Sequence, residues 1–127
     1  MGYTKSITST TTLSFVTNGY WINPIILSGL LVGVYSISYN FTLSSTAVQT
    51  GYLLYGISTS LSTTTIPNNT YYNISTTANS NLSISNTIVM TIYNTSNLYL
   101  NLFLNNNNTA ATTISFSSGS INATRLA

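Results

Sequence analysis

Two side chains in this chain carry a charge, Lys5 and Arg125, and among its 127 residues there is no Asp, Glu, His or Cys. General acid–base chemistry most often draws on a His or a carboxylate side chain held at the reacting atom, and none is present here. Zinc and calcium sites draw on Cys, His, Asp or Glu, so the usual donor sets are missing too. Ser and Thr abound, but a hydroxyl becomes a nucleophile only beside a base, and Lys5 is the one amine side chain. A Ser–Lys dyad on Lys5 would sit in a polar N-terminal stretch with little to position it. The composition therefore predicts a protein that is not an enzyme and uses no metal or cofactor. It also predicts no nucleic-acid partner, since Lys5 and Arg125 alone build no basic patch.

Asparagine is the other residue type with a chemistry of its own. Asn-X-Ser/Thr triplets begin at Asn40, Asn68, Asn73, Asn81, Asn94, Asn107 and Asn122. They fit a glycosylated surface protein. A chain this rich in Asn, Ser and Thr produces about as many by chance, and Asn40 and Asn122 fall in strand-like segments where a glycan is awkward. The triplets are read as composition. The Thr runs follow no fixed Thr-X-Thr period, which argues against an ice-binding ladder.

The elements that would position any of these residues are strands. Residues 33–43, GVYSISYNFTL, place Tyr35, Ile37, Tyr39, Phe41 and Leu43 on one face and Val34, Ser36, Ser38, Asn40 and Thr42 on the other. That alternation is the period of a strand with one face in a core, and the aromatic and β-branched residues suit it. Gly33 lets another backbone approach where the strand starts. The apolar run 25–35, about eleven residues, is well short of the ~18–20 a spanning helix needs, so no membrane insertion is expected. No signal peptide is evident at the polar start. Disorder is a poor fit, because a disordered chain pairs low hydrophobicity with high charge, and this one is 43% hydrophobic and 2% charged.

In order, residues 1–11 read as a polar, unpatterned arm and residues 12–127 as one domain. Strands are expected at 12–16, after which Asn18-Gly19 signals a turn, and at 20–22, stopped by Asn23-Pro24. A turn at 44–46 leads to a strand at 48–58, where Gly51 and Gly56 suggest bulges or close packing. A long loop at 59–69 precedes an outer strand at 70–76. Segments 82–85 and 87–93 form one interrupted strand or two. Strand 98–104 carries a face of Leu98, Leu100, Leu102 and Leu104, and 105–108 is a turn tip. Segments 112–117 and 120–126 finish the chain, hinged at Gly119. Eight to ten short strands with regular turn signals, and no helix, give an all-β antiparallel sandwich or barrel.

At several places in order the chain resembles a known family. LLVGVYSISYNFTL, residues 30–43, is similar to the aliphatic–Gly–aromatic–alternating strand of complement-globular-head and tumour-necrosis-factor-like jelly rolls. The versions in bacteriophage tail and giant-virus virion proteins continue with a Gly-Ile-Ser-Thr-Thr-like segment, here Gly56, Ile57, Ser58, Thr59 and Ser60. They end in an Ala-Thr-Arg-Ile-like terminus, here Ala123, Thr124, Arg125 and Leu126 after Gly119 and Ser120. LYLNLFL, residues 98–104, stands where the family has its penultimate strand. The chain departs in lacking charges and in carrying Leu30, Leu31 and Val32 where a short Pro/Ala–Gly is common. The resemblance implies a jelly roll that forms a homotrimer: a spike, fibre head or capsid-surface component on the virion surface, beside neighbouring virion proteins.

Composition leads separately to assembly. A β-domain normally guards its edges with Lys, Pro or inward charges, and a nearly uncharged surface favours association. If Ile88, Met90 and Ile92 face inward, then Val89, Thr91 and Tyr93 face a neighbouring copy. Ile121, Ala123 and Arg125 are placed at the same interface, with the Arg125 guanidinium needing oxygens as partners. Two alternatives stay open: a head that binds a host receptor or surface glycan, and a subunit of an extracellular filament assembled by exchange of the N-terminal arm.

Overall fold

A computed structural model describes residues 3–14, 20–45, 49–60, 70–76, 80–106 and 114–127. These residues form ten strands: β1 (Thr4–Ser9), β2 (Leu13–Ser14), β3 (Tyr20–Ile22), β4 (Ile26–Leu30), β5 (Gly33–Ser45), β6 (Gln49–Ser58), β7 (Thr70–Thr76), β8 (Ser80–Ile92), β9 (Ser96–Asn106) and β10 (Ile114–Arg125). Every pairing is antiparallel. One sheet runs β1-β10-β5-β8, with β2 on the same side of β10 as β1; the other runs β3-β9-β6-β7, with β4 beside β3 on β9. The fold is a β-sandwich jelly roll. Among the described residues no helix is long and apolar enough to cross a membrane.

The two sheets meet over the alternating rows that the sequence points to. Tyr35, Ile37, Tyr39, Phe41 and Leu43 on β5 face Leu98, Leu100, Leu102 and Leu104 on β9, all of them buried. Leu53, Tyr55 and Ile57 on β6 complete that layer. The Tyr55 ring meets Phe41 edge-on at 5.4 Å and Tyr39 at 6.4 Å, stitching sheet to sheet. Removing one of these Leu side chains to Ala costs about 2–5 kcal/mol, so the rows hold the domain together.

Several sequence expectations change; the turn expected at 44–46 starts later, since Ser44 and Ser45 still pair with β8 as the end of β5. Residues 4–9, read as an unpatterned arm, form β1 and pair with β10 from Thr4 opposite Thr124 to Ser9 opposite Gly119. The ladder is made by backbone groups, so it left little trace in side-chain pattern. The segments at 82–85 and 87–93 belong to one strand, β8, matched to β5 residue for residue over thirteen positions. Asn86, the apparent interruption, lies in the inward row and donates to the Tyr39 hydroxyl at 3.3 Å. The register of β6 is continuous through Gly51 and Gly56, so neither marks a bulge. Finally, residues 114–125 are one strand without a hinge at Gly119. The irregularity is at Ser117, between Phe116 opposite Leu43 and Ser118 opposite Thr42. Gly119 serves close packing: a Cβ there would stand 2.5 Å from the Asn40 carbonyl oxygen and 2.9 Å from Ile25 Cδ1. The turn at Asn18-Gly19, most of the loop at 59–69 and the end of the turn tip at 105–108 lie outside the described residues.

Candidate assembly surface

The outer face of the β5-containing sheet is built from hydroxyls and amides. On β8 the inward row is Leu82, Ile84, Asn86, Ile88, Met90 and Ile92; the outward row is Asn81, Ser83, Ser85, Thr87, Val89 and Thr91. Polar groups on this face bond to one another across strands. Asn40 Nδ2 donates to Ser120 Oγ at 2.7 Å, and the Thr42 and Ser83 hydroxyls are 3.0 Å apart. The face carries no charge, and its amides and hydroxyls are partly occupied already.

Among the described residues five of the eight exposed large apolar side chains gather towards one end, while Ile7 on β1, Leu13 on β2 and Ile26 on β4 are exposed elsewhere. Val89 is 65% exposed and Tyr93 80% exposed, with Thr91 exposed between them. Leu31 and Val32, the connection from β4 to β5, are exposed as well, and so is Leu126. Register brings these together: Gly33 opposes Ile92, so Val32 and Tyr93 lead away from the same corner. Leu126 reaches it through its amide, which donates to the Val34 carbonyl at 2.7 Å, while Val34 N–H donates to the Ala127 oxygen at 2.9 Å. A rim of unburied apolar side chains thus surrounds the end of the sheet where β5 begins and β8 and β10 end.

Of the six residues placed at an interface from sequence, the structure puts Val89, Thr91 and Tyr93 on the surface. Ile121 and Ala123 go the other way. Both are 0% exposed, because Ile121 opposes Tyr39 and Ala123 opposes Ile37, which puts them in the same inward row as those core residues. They cannot meet another copy. The outward residues of that segment are Asn122 and Thr124. Arg125 opposes Tyr35 and lies half-buried; its Nε is buried and has no hydrogen-bond partner among the described residues. Leu31, Val32 and Leu126 were missed as surface residues. For Leu31 and Val32 the signal was the length of the apolar run from Ile25 to Val32, which exceeds the five residues of β4; nothing in the sequence marked Leu126 or the corner they share.

Two tyrosine hydroxyls in this part of the core are held in the neutral form. Burial pushes the Tyr35 phenol up from its ordinary value, with Tyr3 adding to the effect and Arg125 partly offsetting it; the hydroxyl donates to the Leu31 carbonyl at 2.8 Å. Burial likewise raises Tyr39, the Asn86 amide working against it and Tyr55 with it. These groups are structural: Tyr35 ties the β4–β5 corner down, and Tyr39 satisfies the inward Asn86 amide on β8.

No family model matches the chain, and no curated protein matches it. Solved structures do. A structure of infectious bursal disease virus, Gx strain, superposes with a TM-score of 0.60 at 17% identity, covering 95% of this chain and 33% of the viral one. The crystal structure of the T13 infectious bursal disease virus particle gives 0.58 at 12% identity, covering 98% of this chain and 31% of the viral one. The globular domain of zebrafish complement 1qA gives 0.51 at 12% identity, with 98% and 97% of the two chains covered. This chain spans about a third of the length of the viral chains it matches. At such identities the likeness is one of fold.

Proposed function

We propose that this protein is a non-enzymatic structural component of a virion, in which copies pack through β8 and the apolar rim at its end to form a homotrimeric spike, fibre head or capsid-surface unit. The observation that carries the reading is the exposure of Val89 on a long, uncharged edge strand and of Tyr93 just past its end. Fully burying a side chain of that size contributes roughly 1.5–3 kcal/mol, and three copies would each bury theirs. The nearly neutral surface sets no like-charge barrier against self-association. Two of the similar structures come from a virus particle, which supports the virion setting.

Assembly into a filament by strand exchange has less support. The strand that would be donated, β1, lies in its own chain's sheet, paired along its whole length with β10. A host glycan or receptor would have to use the hydroxyl face, and no binding on a glycan array is expected.

Sedimentation velocity of the purified chain at micromolar concentration tests the proposal. A species of three chain masses is expected. A stable monomer would overturn the assembly reading; a dimer would leave the surface but end the trimer.

A further inference from the structure

The only two charged side chains of the protein, far apart in sequence, meet the same corner of the fold. Lys5 on β1 opposes Ala123 on β10, and the Arg125 amide donates to the Tyr3 carbonyl at 2.8 Å, which continues that ladder. Lys5 and Arg125 are therefore diagonal neighbours on adjacent strands, about 7–8 Å apart by ladder geometry. Both belong to the inward row, since Ile121 and Ala123 precede Arg125 in it.

Two glycines make room for them there. A Cβ on Gly29, whose φ is +68°, would stand 3.4 Å from Lys5 Nζ. A Cβ on Gly33, φ +157°, would stand 2.6 Å from Arg125 Nε. The backbone groups beside them are engaged: Gly29 N–H donates to Asn97 Oδ1 at 2.9 Å, and Val34 N–H to the Ala127 oxygen. The two cationic side chains are not engaged in this way. Arg125 Nε is buried without a partner among the described residues, and the sequence contains no carboxylate side chain to neutralise either group; the Ala127 oxygen, 3.0 Å from the same Cβ position on Gly33, already accepts from Val34 N–H.

We infer that the corner between β1, β10 and the β4–β5 connection is a binding site for a phosphate- or sulfate-type oxyanion, clamped between Lys5 and Arg125. Two like charges held at one corner repel each other, and a bound oxyanion removes that repulsion while accepting from the ammonium and the guanidinium fork. The aromatic wall beside it is the Tyr3 ring, packed edge-on to Tyr35 at 6.1 Å. The residues of the site all come from one chain, although the site borders the apolar rim at Leu31, Val32 and Leu126.

The test is a titration of the parent protein with inorganic phosphate at constant ionic strength, followed by amide chemical shifts, with chloride as the control. The expected result is saturable movement of the Lys5, Gly29, Gly33 and Arg125 amides while those of β8 stay put. In K5Q and R125Q the half-saturating phosphate concentration rises at least tenfold. A sulfate monoester of a sugar, run in parallel, reports the source: tighter binding than inorganic sulfate points to a group carried on a larger ligand, and equal binding to a free ion. Shifts spread over the whole surface, or the same half-saturation in K5Q as in the parent, would overturn the inference. The parent titration stands alone if R125Q fails to fold.

Discussion

Along one flank of the sandwich the sheet edges are cut into short pieces. β1 and β2 divide one side of β10 between them, and β3 and β4 divide one side of β9, with Asn23 and Pro24 at the break and a register shift between Leu27 and Leu30. β1 also carries Lys5 and lies close to β4, so the two broken edges cover each other. Along the opposite flank β8 runs thirteen residues with no Pro, no charge and no register shift against β5. Short strands, Pro, Lys and irregularity are the ordinary means by which a sheet edge avoids pairing with another chain. One flank has them all and the other lacks them on β8. The lesson is that the near absence of charge is not by itself the sign of assembly; its distribution is. The single edge cation was placed on the side already blocked by chain geometry.

The comparison breaks most visibly if β8 is given what β1 has. Val89→Lys with Thr91→Lys should dissociate the oligomer, with association weakened more than about a hundredfold, because like charges brought together across an interface cost several kcal/mol. Sedimentation would read the change, and an unaltered circular-dichroism spectrum would show that the fold survives. Next in size is a change at the packing that seats the blocked flank. Gly119→Ala drives a methyl towards the Asn40 carbonyl and Ile25 and should cost about 1–3 kcal/mol in denaturant unfolding, leaving the oligomer of the folded fraction intact.

A smaller effect is expected from Lys5→Val. Stability should change by less than about 0.5 kcal/mol, because Lys5 is only half-buried and Val keeps part of its apolar stem in the row. Association beyond the closed oligomer should grow, since β1 loses its guard, and light scattering over days would detect it. The smallest effect is that of neutral pH. With no His or carboxylate side chain in the sequence, stability and association should both be flat between about pH 5 and 9. Buried Tyr35 and Tyr39 have their phenols raised, so the folded state holds those protons more tightly than the unfolded chain. Their contribution is therefore complete below the ordinary tyrosine value near 10 and is lost as pH climbs through the raised values. Thermal melts across pH 5–11 should show a plateau and then an alkaline fall.

Much of the core was legible in the sequence because it is written in period-two rows. The Tyr35–Leu43 and Leu98–Leu104 rows are apolar at every second position, and both are buried as that pattern demands. What the pattern did not convey was the direction of a row whose signs conflict. Ile121 and Ala123 are apolar and Arg125 is not, and the arginine drew the whole row to the surface. In the fold the row is inward, and Arg125 is accommodated because Gly33, lacking a Cβ, leaves it space. β1 was illegible for a different reason. Lys5, Ile7 and Ser9 make no apolar row, and the strand exists through its backbone ladder to β10. On the candidate surface the outward residues of β8 were readable from alternation alone. The rim at Leu31, Val32 and Leu126 was not, since it needs the register that brings residues 31–32, 93 and 126 to one corner.

The central claim is that β8, and not the β1 flank, meets neighbouring copies. Hydrogen exchange of the intact protein at high and low concentration tests it most directly, read at the alternate β8 amides that point away from β5 and at the outer amides of β1. Protection that appears on β8 at high concentration and disappears on dilution, with β1 unaffected, is the result expected. Fast exchange of the outer β8 amides at every concentration, or concentration-dependent protection on β1 instead, would contradict it.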